Sequence, residues 1–285
     1  MLRGDVTPAL APSSWRGEAK PRTRQAWGRL PNDRAAASRR MIHARESFAT
    51  MNTVIPLWAV PTVSVEGTDA RFPVRHIYCV GRNYAEHAAE MGGDATKEPP
   101  FFFTKAADAI VPVAPGETGT MAYPMATKNL HHEVELVVAI GKAGAKLMPD
   151  HALDLVYGYA AGLDMTRRDL QNDMREKKRP WDIGKSFAHA APIGAIQPVA
   201  RGGHRKRGAI TLDVNGARRQ TGDLADMIWD VAHTLAFLSK LYELQPGDLV
   251  YTGTPAGVGA VAAGDRLDAR IEGLAPLSIA IVPGR

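Results

Sequence analysis

The stretch Asn129–Lys142, NLHHEVELVVAIGK, decides the reading of the chain. From Val134 to Gly141 it is aliphatic, rich in β-branched residues and closed by glycine, the composition of a strand rather than of a helix. Side chains two apart on a strand point the same way, so Glu133 and Glu135 project together while Val134 and Leu136 face opposite. Two carboxylates on one face repel unless a cation sits between them. Hard divalent cations such as Mg2+, Mn2+ or Ca2+ take such oxygen donors, whereas softer metals prefer sulfur or imidazole. A solvated strand face bearing two glutamates is the plain alternative.

Outward from this run the same texture recurs. HIYCVG (76–81) and FFFTK (101–105) read as short strands, and DLVYTGTPAGVG (248–259) as a strand leaving into a glycine-rich loop before further strands that end at Val282. Asn215-Gly216 lies between strand-like flanks, a strong short hairpin signal. Helical composition is confined to NYAEHAAEM (83–91), to Met165–Lys178 ahead of Pro180, and to 223–243, where Met227, Val231, Leu235 and Leu238 give one long amphipathic helix. The expected class is α+β, mostly β.

Residues 1–50 carry ten basic and four acidic side chains, a balance of +6 against +5 for the whole chain, so residues 51–285 carry −1. The basic excess belongs to an Arg-, Ser- and Pro-containing leader without apolar period, expected to be disordered, with Met51 a candidate start. The expected organisation is therefore a leader, 1–52, and a single catalytic domain, 53–285. A nucleic-acid partner would need a basic surface on the folded part, which a balance of −1 does not favour. Hydrophobic residues at 45% and charged residues at 23% fit a globular domain, and no apolar run has the length of a membrane span. The single cysteine, Cys79, excludes an internal disulfide and a cysteine-cluster zinc site, and fits a reducing, cytoplasmic setting. Among apolar neighbours it reads as an inert core thiol.

Several residues could carry chemistry. Asp164 ends the apolar run YGYAAGLD just before a helix, as either an N-cap or a ligand. From it, spacings of 4, 7 and 11 pick out Arg168, Gln171 and Arg175 as one polar face. His87 and Glu90 are three apart on a helix, so the carboxylate can orient the imidazole for proton abstraction, or both can be surface decoration. Lys185 in WDIGKSF is an anchored cation or one that reaches solvent. Thr252-Gly253-Thr254-Pro255 suits contacts to a small anion, or is a tight turn. The run RGGHRKR (201–207) lacks interleaved aromatics and reads as a solvated loop.

Taken in order, IYCVGRNYAEHAAEM, EPPFFFTK, NLHHEVELVVAIGK, GYAAGLDMTRRDLQ, KSF and VYTGTPAGVG resemble the fumarylacetoacetate hydrolase family, and more narrowly its acylpyruvate and fumarylpyruvate hydrolase branch, from about residue 72 to residue 282. The resemblance implies a rolled mixed β-sheet with a few flanking helices, commonly a homodimer. It implies that Glu133, Glu135 and Asp164 bind Mg2+ or Mn2+, that His87 and Glu90 activate water, and that Arg168, Gln171, Lys185 and Thr254 line the substrate pocket. The implied activity is hydrolysis of a carbon–carbon bond in a 2,4-dioxo acid, with fumarylpyruvate the expected substrate in aromatic catabolism. Oxaloacetate decarboxylation and 2-oxo-heptenedioate isomerisation or decarboxylation are the alternative chemistries. A terminal carboxylate on the substrate would need a further cation, for which Arg82, Lys105 and Arg168 are available. Two departures stand out: Ala106 follows the lysine of FFFTK where relatives often have proline, and the leader has no counterpart.

Overall fold

The computed structural model describes residues 52–85 and 99–284. Trp58–Arg285 forms one compact unit, separate from Met1–Leu57, whose described part, residues 52–57, holds no helix or strand. Residues 1–51 of the leader, and the segment holding His87 and Glu90, lie outside the described residues.

The core of the unit is an eight-stranded mixed sheet. Its central strand, Val134–Ile140, has all seven residues buried and pairs antiparallel with Val156–Leu163 on one side and Leu249–Tyr251 on the other. Burial on both faces explains why its sequence is apolar throughout except at Glu135. Ile77–Gly81 runs parallel to Leu249–Tyr251 and antiparallel to Phe101–Lys105. Ala191–Ile193, Ile110–Pro112 and the short strand Gln197–Pro198, paired with Val156–Leu163, complete the far side. A five-stranded sheet of Thr118–Ala122, Ala209–Val214, Ala217–Asp223, Arg266–Ile271 and Leu277–Val282 is also present, as are small two- and three-stranded sheets. Strand exceeds helix, and the mostly-β α+β class stands. Asn215 and Gly216 turn the hairpin between Ala209–Val214 and Ala217–Asp223 with φ of 52° and 79°, the left-handed pair that a two-residue turn requires.

Two helix expectations need correction. The helix expected over Met165–Lys178 spans Arg168–Glu176, because Thr166 and Arg167 pair instead with the strand Leu130–His132. The long helix expected over 223–243 is Val231–Leu241 alone. Asp223 caps a separate 3-10 turn at Leu224–Asp226, and Asp230 starts the helix by accepting the His233 N–H at 2.8 Å. Met227 is still buried, so the apolar spacing reported burial there without reporting a helix. No helix among the described residues is long and apolar enough to cross a membrane.

Candidate active site

The backbone brings the acidic residues together. Glu133 sits between Leu130–His132 and Val134–Ile140, and its carbonyl accepts the Asp164 N–H at 2.8 Å. That bond places the end of Val156–Leu163 beside the start of Val134–Ile140. Carboxylate oxygens of Glu133, Glu135 and Asp164 then lie within 4.8 Å of one another, all three residues buried. The solvated-face alternative for Glu133 and Glu135 is excluded by this burial. The capping alternative for Asp164 is excluded as well, since the helix begins at Arg168 with no side-chain cap.

Three cations answer two of the carboxylates, Glu133 and Asp164. Lys185 Nζ lies 2.7 Å from Glu133 Oε2, from Asp164 Oδ2 and from Thr166 Oγ1. Arg168 donates through Nη2 to Glu133 Oε1 and through Nη1 to Gln171 Oε1. Lys105 Nζ stands 2.7 Å from Asp164 Oδ1 and donates to the carbonyls of Met165 and Lys185. Lys185 is 2% exposed, so it is an anchored cation and does not reach solvent. It ends the short helix Asp182–Lys185, whose Gly184 packs so closely on the preceding helix, Arg168–Glu176, that a Cβ would meet the Gln171 backbone nitrogen at 2.8 Å.

Burial pulls on these groups in opposite senses. It raises the Glu135 carboxyl well above the carboxylate range, reinforced by Asp164 and Glu133 and opposed by the Gly253 N–H, which donates to Glu135 Oε2 at 2.8 Å. Burial would lower the Lys185 ammonium, but Asp164 and Glu133 outweigh it and the ammonium is held above its ordinary value. His131, beside Arg168, is pushed down to about 4 by burial and then by that guanidinium, so it is neutral at pH 7. Gly253 has φ of 98°, and a Cβ there would lie 2.6 Å from that of Asn83, so only glycine offers Glu135 this N–H.

Val80, Gly81, Arg82, Phe103, Trp181 and Thr254 complete the cleft around the carboxylates, Arg168, Gln171 and Lys185. Thus Arg82, Arg168, Gln171, Lys185 and Thr254 share one cleft with the acidic triad, while Arg175 of the expected helix face is outside this lining. Cys79 is buried, and burial raises its thiol well above the usual range, which leaves it unreactive. Two supporting residues carried no sequence signal of their role. Gln220, fully buried, accepts from the Val134 N–H at 3.1 Å and meets His132 Nδ1 at 3.0 Å through Oε1, and donates through Nε2 to Thr254 Oγ1 at 2.8 Å and the Pro255 carbonyl at 2.9 Å. Lys105 had been available for a substrate carboxylate but is spent on Asp164.

The donor set suits a hard divalent cation: three buried carboxylates, no sulfur, and a protein-supplied ammonium already lodged between two of them. Asp164 Oδ1, although beside Lys105, accepts no well-directed hydrogen bond among the described residues. A cation would be its natural partner.

The family described as fumarylacetoacetate (FAA) hydrolase C-terminal matches residues 76–282. The chain belongs to the fumarylacetoacetate hydrolase family. Within that family, fumarylpyruvate hydrolase from Ralstonia sp is 49% identical over 191 residues, 67% of this chain and 96% of the relative. The rat mitochondrial oxaloacetate tautomerase FAHD1 is 40% identical over 200 residues, 70% of this chain and 88% of its own length. The crystal structure of fumarylpyruvate hydrolase from Pseudomonas aeruginosa, in complex with Mn2+ and pyruvate, superposes with a TM-score of 0.80 at 53% identity, covering 81% of this chain and all of that one.

Proposed function

We propose that this chain hydrolyses the C3–C4 bond of fumarylpyruvate, giving fumarate and pyruvate, with Mg2+ or Mn2+ held by Glu133, Glu135 and Asp164. The chain is a hydrolase acting on carbon–carbon bonds, the class of the Ralstonia and Pseudomonas relatives. The observation that carries the reading is the buried carboxylate triad opening on one cleft with Arg168, Gln171, Lys185 and Thr254. A relative at 53% identity that binds Mn2+ and pyruvate supports the same assignment.

When bound, the metal supplies a Lewis acid for the 1-carboxylate and 2-oxo oxygens of the dioxo acid. Arg168 and Gln171 bind and orient the pyruvyl end, their hydrogen bond to one another fixing both. Thr254 accepts from Gln220, so its own hydroxyl proton is free to donate to the substrate. His87, oriented by Glu90, takes a proton from water, whose oxygen forms the new bond to C4 as C3–C4 breaks. The electron pair left on the pyruvyl half faces the Lys185 ammonium, and a proton returned to C3 yields pyruvate. The same reading places the chain in the cytoplasm as a homodimer engaged in aromatic catabolism, and sizing chromatography with light scattering tests the dimer.

A second reading, enol–keto interconversion of oxaloacetate, draws support from the rat relative. It needs the same metal and no attack at C4. One assay separates the readings: loss of the dioxo-acid ultraviolet band with fumarylpyruvate, against enol–keto change or carbon dioxide release with oxaloacetate. Equal or faster processing of oxaloacetate, with fumarylpyruvate untouched, overturns the first.

A further inference from the structure

Arg82, Arg168 and Lys185 line the cleft and Lys105 stands behind it on Asp164; of these four cations, three are spoken for. Lys185 and Lys105 are held by Asp164, and Arg168 by Glu133, so all three are already engaged in ion pairs. Arg82 is different. No carboxylate among the described residues pairs with it, and its buried Nε–H has no hydrogen-bond partner among them. A guanidinium carries five donors in a rigid fork, and a buried donor such as this Nε–H is costly to leave unmatched unless an anion completes it.

The backbone presents this side chain at a price in strain. Arg82 has φ of 61°, in the left-handed region that non-glycine residues seldom enter. Its neighbours enforce it. Gly81 ends the strand Ile77–Gly81, and Asn83 is locked on the other side. Asn83 Nδ2 donates to the carbonyls of Trp229 and Thr252, and its Oδ1 accepts the Trp229 N–H, each at 2.8 Å. The chain must turn at Arg82, and the turn aims the guanidinium along the cleft wall. There its Cζ lies 6.0 Å from the centroid of the Phe101 ring, which packs edge-on against Trp181 with centroids 5.2 Å apart.

The substrate has two carboxylates. One belongs to the pyruvyl end, at the triad. The other ends the acyl group, and Arg168, Lys105 and Lys185 are already held by Glu133 and Asp164 at the triad's end of the cleft. We propose, resting on the acylpyruvate reading above, that Arg82 is the specificity-determining residue that binds the terminal carboxylate of the acyl group, so that the enzyme selects acylpyruvates with an anionic acyl chain over those with a neutral one.

The test uses the full chain with Mn2+ and two substrates, fumarylpyruvate and acetylpyruvate, whose acyl group is neutral. Arg82→Asn keeps a residue tolerant of the left-handed backbone while removing the charge. Its kcat/KM for fumarylpyruvate should fall roughly 10- to 100-fold, mainly through KM, while that for acetylpyruvate stays within about 3-fold. Inhibition by fumarate should weaken by a similar factor, with inhibition by pyruvate unchanged. Arg82→Lys should recover part of the discrimination by restoring the charge without the fork. Equal losses on both substrates, or an unchanged ratio with unchanged fumarate inhibition, overturn the inference while leaving the hydrolase reading intact. If the parent enzyme splits neither acylpyruvate, the hydrolase reading fails and the inference falls with it. Circular dichroism and thermal melting confirm that each variant is folded.

Discussion

Lys185 Nζ and Asp164 Oδ2 are 2.7 Å apart, both side chains almost wholly buried, and the same ammonium reaches Glu133 Oε2 at the same distance. The lysine therefore stands between two carboxylates of the triad. Lys185→Met removes the ammonium and leaves two buried carboxylates facing each other without the cation between them. A buried pair broken in this way costs about 3–5 kcal/mol of stability. Thermal denaturation should show the loss in metal-free protein, and added Mn2+ should raise the melting temperature of the variant more than that of the parent, because the cation takes over the missing charge. An equal metal-induced rise in both proteins would mean that the ammonium and the metal serve separate places.

Glu135→Gln keeps shape and a possible bond from Gly253 while removing one carboxylate. Outer-shell changes at metal sites typically cost 10–100-fold in affinity, so loss of a direct donor should weaken Mn2+ binding by more than about 10-fold. Asp164→Asn should behave alike. Titration calorimetry on purified metal-free protein reads this independently of turnover, and unchanged affinity in both variants would remove Glu135 and Asp164 from the metal site.

His87→Ala separates metal binding from water activation. Turnover should drop about 10²- to 10⁴-fold, the range for losing a positioned general base, with Mn2+ affinity unchanged. Parent-like hydrolysis of fumarylpyruvate by this variant would end the assignment.

The triad's two glutamates were legible because the strand period is local: alternation along HHEVEL places both on one side whatever the fold around them. Asp164's convergence on them was not, since it depends on an antiparallel pairing between segments some thirty residues apart in sequence. Local pattern also misjudged 223–243, where two aspartates, each preferring to cap, split the apolar spacing into a 3-10 turn and a shorter helix. Lys105 read as one of several free cations because its partner, Asp164, is remote in sequence. Gln220 was invisible for a related reason. It is the one fully buried residue in the otherwise exposed or half-exposed strand ARRQTGD, and nothing in the residue type announces that its amide will be saturated by four distant groups.

That saturation makes Gln220 a sharp test of how the cleft is held. Gln220→Met preserves length and volume but strands the Val134 N–H, His132 and the Pro255 carbonyl, costing about 1–3 kcal/mol by urea denaturation. The Thr254 hydroxyl loses its anchor, so KM should rise more than kcat falls, and stability equal to the parent's would show that water replaces the amide at no cost.

Acid should expose the cap of the helix Val231–Leu241. Burial alone would raise the Asp230 carboxyl, but the backbone N–H and ring of His233 outweigh it and hold the carboxyl below its ordinary value. A carboxyl depressed in the folded state adds stability that is fully present above the unfolded pKa, near 4, and is lost as pH falls through the folded one. Asp230→Ala should therefore cost about 1 kcal/mol at pH 7, the usual worth of an aspartate cap. The gap between variant and parent in urea midpoints should stay constant from pH 7 to pH 5 and narrow below pH 4. A gap that widened on acidification would mean that His233, rather than the carboxylate, sets the strength of the cap.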